Sequence, residues 1–243
     1  MAGGLDLGVV KPYAYAALLL VSLIGILTYR RVKGEWERLP PMSWKLISFL
    51  LGLMAILVAS LMEYPFSPSL FSSGRVSLIQ MTLLGIFVGP IEEFSKLLPV
   101  KMFHEEGWVL WKKTLGTAFF FGLIEAVLYS IMLLIIGVPL MALLRLALVG
   151  FHVALTSIAA TDLIAEGSWR GYLRASVYHS LYDLPLLVYV GGYRGEGIYA
   201  LMVLGFLSLA AVAVEVLRSE GVAERILGKD ETPILEFEFT SSP

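Results

Sequence analysis

The sequence predicts an all-α fold, a polytopic membrane helical bundle with about seven transmembrane helices, and composition is the first reason. Of the 243 residues, 58% are hydrophobic and only 16% are charged, and the mean hydropathy is +0.80. Soluble domains average roughly 45–50% apolar and about 25% charged residues. The second reason is that the apolar residues form separate stretches of about 20, the length that crosses a bilayer.

Seven such stretches occur in chain order, at residues 12–29, 43–62, 76–100, 115–136, 139–164, 171–190 and 197–217. The first lacks the basic flank of a cleaved signal peptide, so we expect it to be retained as a helix. Only Gly137 and Val138 separate the fourth stretch from the fifth, which predicts an antiparallel hairpin. The third contains Gly89-Pro90, and because proline removes a backbone donor we expect two helical pieces that meet at depth.

We expect residues 1–218 to form the bundle, with the core motifs in 89–185, and residues 219–243 to form a cytoplasmic tail. Lys and Arg concentrate in the connections after the first, third and fifth stretches. The positive-inside rule then places the N-terminus outside and the C-terminus in the cytoplasm of a cell-membrane protein. The alternation at 234–239 suits a short strand, with a disordered tail as the alternative.

The same composition excludes several classes of function. There is no cysteine, so thiol catalysis and thiolate metal sites are ruled out. The sequence has no block of basic residues that could bind a row of phosphates, so we expect no nucleic acid partner. We expect the chain to be surrounded by the lipid bilayer. Zinc, if bound, must use imidazole and carboxylate ligands.

Ionisable residues within the apolar stretches are the main pointer to function, because a charge near the bilayer centre costs a few kcal/mol. Glu92 and Glu93 follow Gly89-Pro90, where a restarted helix favours carboxylates through its dipole. Lys96 lies one turn after Glu92 and can neutralise it. Adjacent glutamates point about 100° apart, so one can face a cavity while neighbouring helices hold the other. A solvated cluster where the helix leaves the membrane is the alternative.

Three further stretches carry polar groups at similar depth. Glu125 lies about 18 Å inside the fourth stretch and His152 lies deep in the fifth, with Thr156 one turn later as a partner. His179 and Asp183 lie one turn apart in the sixth, and a carboxylate that orients an imidazole recurs in metal sites and catalytic bases. Taken singly, a protonated glutamate bonded to backbone and a satisfied core histidine are the alternatives. Their common depth predicts one shared site.

The set Glu92-Glu93-x-x-Lys96, Phe121-x-x-x-Glu125, isolated His152 and His179-x-x-x-Asp183 resembles the motifs of PrsW-type intramembrane proteases. These are distant relatives of the CAAX proteases and bacteriocin-processing membrane enzymes. In that wider group the second motif usually ends in His and the fourth often in Asn, so Glu125 and Asp183 favour the PrsW branch. The resemblance implies hydrolysis of a peptide bond in a membrane-anchored protein or peptide, usually with a metal ion, although a metal-free glutamate mechanism has been argued for the relatives.

Our mechanistic hypothesis gives each residue a role. Glu125, His152 and His179 bind one Zn²⁺, with Asp183 as the fourth ligand or as the group that orients His179. Glu92 is the general base, and Glu93 and Lys96 hold it in position and charge state. In the metal-free version Glu92 and a histidine activate the water. We expect a polar cavity that is open to the cytoplasm.

Two other functions fit the same residues. Intramembrane carboxylates and histidines also form proton relays and cation sites, so a proton- or cation-coupled transporter is the main alternative. The sequence has no internal repeat of the kind that many transporters carry, which argues against it. A catalytically inactive scaffold is the third hypothesis, and the complete polar set argues against that one.

Overall fold

A computed structural model describes residues 10–38, 44–66, 77–104, 107–135, 137 and 139–227, and all regular structure within these ranges is helical. This confirms the predicted all-α class for the described part of the chain. The elements are α1 (Val10–Arg38), α2 (Trp44–Glu63) with a 3-10 turn (Tyr64–Phe66), α3 (Leu78–Lys96), α4 (Leu98–Met102), α5 (Gly107–Ile135), α6 (Pro139–Glu166), α7 (Arg170–Val190) and α8 (Gly197–Leu227).

Five segments in the described ranges are long and apolar enough to cross a membrane: Lys45–Phe66, Leu78–Lys96, Gly107–Ile135, Pro139–Glu166 and Gly197–Ser219. They are compatible with an integral membrane protein, but they do not reach the expected seven. α1 contributes only the shorter apolar segment Tyr15–Arg30. α7 is 21 residues long, about 31 Å, but its arginines, His179 and Asp183 make it too polar to count among these apolar segments.

Helix α3 is continuous through Pro90, so the expected break at Gly89-Pro90 was wrong. Proline leaves the carbonyl of Ile86, four residues earlier, without its helical donor. Ser180 Oγ of α7 donates to that carbonyl at 2.8 Å. A neighbouring helix thus supplies the missing bond, the usual way in which proline is accommodated within a membrane helix. The true break follows Lys96, where Pro99 cannot donate to the carbonyl of Ser95 and the short α4 begins.

This continuity moves the two glutamates to a different helix end. Glu92 and Glu93 lie near the C-terminal end of α3, whereas a break at Pro90 would have put them in a first turn. The helix dipole disfavours carboxylates there. Their stabilisation therefore comes from specific cationic partners, described below.

Glycines on α3 allow a close crossing with α7. A Cβ at Gly89 would lie 2.2 Å from the carbonyl oxygen of Ser176, and one at Gly85 would lie 2.7 Å from the side chain of Leu184. Small residues one turn apart let the backbones of membrane helices approach closely. The crossing brings the glutamates of α3 next to His179.

The short connection between α5 and α6 forms the expected antiparallel hairpin. Gly137 has φ of +78°, a left-handed conformation that glycine adopts without strain. Ser130 Oγ of α5 donates to the carbonyl of Ala142 of α6 at 3.0 Å and joins the helices near this turn. Deeper in the hairpin, a Cβ at Gly122 would lie 2.9 Å from the His152 ring, so the glycine leaves room for the imidazole.

The main hydrophobic core surrounds α6. Phe151, Leu155 and Ile158 are fully buried there, against Ala17 and Ile24 of α1 among others. At the other end of the chain α8 continues to Leu227, past the expected bundle boundary at residue 218. The possible strand at 234–239 lies outside the described residues.

Candidate functional site

Side chains from four helices meet in what we call the central polar cluster. It contains all seven site residues expected from the sequence, together with Arg145 and Thr156. Its members are Glu92, Glu93 and Lys96 of α3, Glu125 of α5, Arg145, His152 and Thr156 of α6, and His179 and Asp183 of α7.

Lys96 is the innermost member, and its side chain has no exposed surface. Its Nζ lies 2.7 Å from Glu93 Oε1, 2.9 Å from His152 Nδ1 and 3.5 Å from Glu92 Oε2. The Nζ also lies over the face of the Phe121 ring, 4.8 Å from the ring centroid. The ammonium is therefore held by two carboxylates, an imidazole and an aromatic face, all of them favourable partners for a cation.

The contact with Lys96 fixes the protonation pattern of His152. An ammonium group has no acceptor, so His152 Nδ1 accepts from Lys96 and a neutral ring carries its proton on Nε2. That nitrogen approaches Glu125 Oε2 to 3.0 Å, although the oxygen has no aligned hydrogen bond among the described residues. Glu125 Oε1 is paired with Arg145 at 3.2 Å. Glu125 thus lies on the far side of His152 from Lys96.

Glu93 holds His179 in one orientation. Its Oε1 lies 2.9 Å from His179 Nδ1, and because a carboxylate only accepts, this nitrogen carries a proton. Thr156 donates to Glu93 Oε2 at 3.1 Å, so the threonine supports Glu93 and not His152, its expected partner. The opposite nitrogen, His179 Nε2, lies 3.2 Å from Asp183 Oδ2 and 3.6 Å from Glu92 Oε2. Two carboxylate oxygens around one nitrogen favour a proton or a metal cation at that position.

Glu92 occupies the space between the two histidines. Its Oε2 is buried, lies 3.7 Å from His152 Nδ1 and 3.6 Å from His179 Nε2, and has no hydrogen-bond partner among the described residues. A buried acceptor without a partner costs about 1–3 kcal/mol, so such an atom is a place where a water, ion or substrate group is expected.

The grouping of donor atoms differs from the expected one. Glu92, His152 and His179 each offer one ligand atom, and these atoms lie within 4.8 Å of one another. Glu125, an expected metal ligand, instead contacts the outer nitrogen of His152, and Asp183 contacts His179 beside Glu92. The catalytic and metal-binding roles of all seven residues stay predictions.

The charges within the cluster do not balance. Its contacting members include four carboxylates, those of Glu92, Glu93, Glu125 and Asp183, against the two cations Lys96 and Arg145. Two positive charges are missing. Burying an unbalanced charge is costly, so either two protons, one on His179 and one on a carboxylate, or one divalent cation would complete the cluster.

Exposure within the cluster increases in one direction. The side chains of Lys96 and Glu93 are fully buried, whereas Glu92 is 8%, Asp183 12%, Glu125 15% and Arg145 27% exposed. On α3, α6 and α7 the more exposed residue lies toward the bundle end that carries the α5–α6 turn. This is the end that the charge pattern predicts to face outward, so exposure does not favour the expected opening to the cytoplasm.

One acidic residue near the cluster was not among the site residues expected from the sequence, because it follows the end of the second apolar stretch, 43–62. Glu63 ends α2 and lies within electrostatic range of Glu125, His179 and Asp183. Its position directly after an apolar stretch resembles an ordinary interfacial residue. Only the packing of α2 against α3 and α5 brings it near the site.

The donor set fits a small divalent cation in chemistry and in spacing. Two imidazoles and a carboxylate are typical ligands of catalytic zinc. His179 meets the further requirement that the opposite ring nitrogen donate to a carboxylate, here Glu93. Glu92 Oε2, which has no hydrogen-bond partner among the described residues, lies between the two imidazoles. The one obstacle is Lys96, which already uses the Nδ1 lone pair of His152.

None of the protein-family models, curated proteins or solved structures compared with this chain matches it.

Proposed function

We propose that this protein is an intramembrane peptidase that hydrolyses a peptide bond of a membrane-anchored protein or peptide. The observation that carries the proposal is the position of Glu92, a buried carboxylate between two imidazoles, one oxygen of which has no hydrogen-bond partner among the described residues. A base held next to polarising groups is the arrangement that water activation requires. The resemblance of the motifs to those of PrsW-type proteases supports the same assignment.

In the proposed reaction a water molecule lies between Glu92 and the histidines. Glu92 takes a proton from this water while the water oxygen bonds to the scissile carbonyl carbon. Lys96 and the imidazoles then face the negative charge that develops in the transition state. Glu92 returns the proton to the leaving nitrogen, the C–N bond breaks, and the products are a carboxylic acid and an amine, which become carboxylate and ammonium when the acid proton passes to the amine.

A divalent cation would add Lewis-acid polarisation of the carbonyl and acidify the water. His152, His179 and one carboxylate of the pair Glu92 and Asp183 would hold it, which leaves the other carboxylate to receive the proton. Zinc is the ion we propose, because the chain offers imidazole and carboxylate but no thiolate.

The membrane arrangement that we propose has seven crossings, with α1 and α7 added to the five apolar segments. α7 then crosses because its polar residues face the cluster and the neighbouring helices rather than lipid. Water and substrate enter from the end of the α5–α6 turn, toward which exposure of the cluster increases.

A coupled transporter is the second candidate, favoured by the two missing positive charges, which two transported protons could supply. A transport path needs access from both membrane faces in turn. Lys96, Glu93 and Thr156 close the cluster at one end with fully buried side chains, which favours a one-sided catalytic cavity.

The test compares cells that produce the wild type with cells that produce Glu92→Gln, a change that keeps the shape of the side chain but removes the base. New protein N-termini in the membrane fraction are identified by mass spectrometry. We expect termini that depend on the wild-type protein and decline at least about 10²-fold in the variant, the size of a lost general base.

The matched control is Glu215→Gln, which removes a partly buried carboxylate outside the central polar cluster. It should leave the new termini unchanged. Identical termini in wild-type and Glu92→Gln membranes would refute the peptidase. Proton flux into proteoliposomes that depends on Glu92 would then favour the transporter.

A further inference from the structure

We propose that Lys96 is a built-in competitor of the metal ion, so that its contact with His152 Nδ1 and a divalent cation bound by Glu92, His152 and His179 exclude each other. The site then takes up a metal only when Lys96 withdraws from His152. This inference rests on the proposed function only in assigning the cluster to a divalent cation. It concerns the affinity for the ion and not the cleavage reaction.

The first observation is that Lys96 uses a ligand atom that the metal needs. Lys96 Nζ lies 2.9 Å from His152 Nδ1, and the only lone pair of this nitrogen accepts the ammonium proton. The other nitrogen of His152 points to Glu125 at 3.0 Å, away from Glu92. His152 therefore has no second lone pair to offer on the side where Glu92 and His179 lie.

The second observation is that the same ammonium approaches the carboxylate of the donor group. Lys96 Nζ lies 3.5 Å from Glu92 Oε2, the oxygen that lies 3.6 Å from His179 Nε2. An ion shared by these ligands would lie within a few ångströms of Nζ, where two cations repel strongly in a buried site. Both charge and ligand availability therefore make the two occupants exclusive.

The third observation is that Lys96 can withdraw without leaving the bundle. Its closest contact is not His152 but Glu93 Oε1 at 2.7 Å, and Phe121 lies on another side. The ammonium is carried on a flexible stem of four carbons. Keeping the bond to Glu93 while releasing His152 would open the donor group and leave the ammonium paired.

The experiment measures Co²⁺ binding by the full-length protein in detergent micelles, with calorimetry and with the visible absorption of bound cobalt. Three proteins are compared: wild type, Lys96→Met and the control Lys101→Met. Lys101 lies on α4 against Trp169, outside the cluster. We expect Lys96→Met to bind Co²⁺ about 10–100-fold more tightly than wild type, the range found when groups next to metal ligands are changed, and Lys101→Met to match wild type.

A second comparison is needed in case Lys96→Met fails to fold, because this change leaves Glu93 buried without its cation. Glu93→Gln/Lys96→Met removes both charges and is compared with Glu93→Gln alone. We expect Co²⁺ to raise the melting temperature of the double variant more than that of the single variant, because only an ion bound to the folded state stabilises it.

The proposal is overturned if removing the ammonium leaves Co²⁺ affinity unchanged or weaker in both comparisons, or if none of these proteins binds the ion. These outcomes do not depend on cleavage, so they leave the peptidase proposal standing in its metal-free version. Conversely, tighter binding without Lys96 would stand even if Glu92→Gln left every membrane N-terminus unchanged.

Discussion

Two clusters of charged side chains join helices in the described part of this protein, and they differ in charge balance and in burial. The second, which we call the peripheral ion-pair cluster, consists of Asp162, Arg174, Glu215 and Arg218 on α6, α7 and α8. Arg174 lies 2.9 Å from Asp162 Oδ2 and 3.4 Å from Glu215 Oε2, and Arg218 lies 3.8 Å from Glu215.

The peripheral cluster pairs two carboxylates with two guanidinium groups, contains no histidine, and leaves Arg174 35% and Arg218 70% exposed. The central polar cluster contains two histidines, lacks two positive charges and buries its cation Lys96 completely. Balanced, partly exposed pairs hold helices together at little cost. An unbalanced buried set is expensive, and this difference is why we assign chemistry to one cluster and helix docking to the other.

The largest expected effect tests whether the complete burial of Lys96 and Glu93 makes the central polar cluster costly to break. Glu93→Ala removes the carboxylate that binds Lys96, His179 and Thr156. Among the described residues, the buried ammonium then keeps only Glu92 as an anionic partner within 4 Å. We expect a loss of about 3–5 kcal/mol in the free energy of unfolding, the cost of breaking a buried ion pair. Unfolding by SDS in mixed micelles measures it.

Glu215→Ala is the matched change in the peripheral cluster. It should cost no more than about 1 kcal/mol, because its partners are partly exposed and screened by water. Equal losses from the two substitutions would remove the energetic distinction between the clusters.

The next effect concerns the crossing that holds the central cluster together. A Cβ at Gly89 would lie 2.2 Å from the Ser176 carbonyl, so Gly89→Ala must push α3 away from α7. We expect a loss of about 1–3 kcal/mol, as for overpacking in a core. Thermal melting in detergent measures it. Gly221→Ala should be neutral or slightly stabilising, because an added Cβ meets no described atom within 4 Å outside its own helix turn. A neutral Gly89→Ala would show that the cluster does not depend on this crossing.

Much of the site could be predicted from local spacing alone. Polar residues one turn apart share a helix face, as His179 and Asp183 do, and on apolar helices such faces turn inward. Their similar depths on helices joined by short connections then bring them together. The composition predicts the all-α class in the same direct way, and a two-residue connection forces the α5–α6 hairpin.

The details that the sequence could not predict all depend on distant contacts. Pro90 normally interrupts a helix, and α3 continues only because Ser180 of α7 donates to the released carbonyl. Which carboxylate joins the two imidazoles depends on helix rotation, and this places Glu92 between them while Glu125 turns to Arg145. No local pattern marks Glu63, because its proximity follows from packing of α2.

A smaller effect tests that explanation of Pro90. Ser180→Ala removes the donor to the Ile86 carbonyl and should cost about 0.6 kcal/mol, the average for side-chain hydrogen bonds between membrane helices. The control is Ser208→Ala, since within the described ranges Ser208 donates only to a carbonyl of its own helix. Double variants with Pro90→Ala provide the sharper measurement: the cost of Ser180→Ala should shrink once residue 90 donates its own N–H. An unchanged cost would mean that Ser180 does not compensate for the proline.

The smallest effect tests the screening expected of the peripheral ion-pair cluster. Asp162→Asn keeps the volume of the side chain but removes the charge that faces Arg174 at 2.9 Å. We expect a loss of about 0.2–1 kcal/mol that fades between about 0.1 M and 1 M salt, as the Debye length falls from about 10 to about 3 Å. Glu93→Ala, measured under the same conditions, should lose the same stability at both concentrations, because counterions do not reach fully buried partners. A salt-independent cost for Asp162→Asn would place Arg174 among the buried charges and join the two clusters into one class.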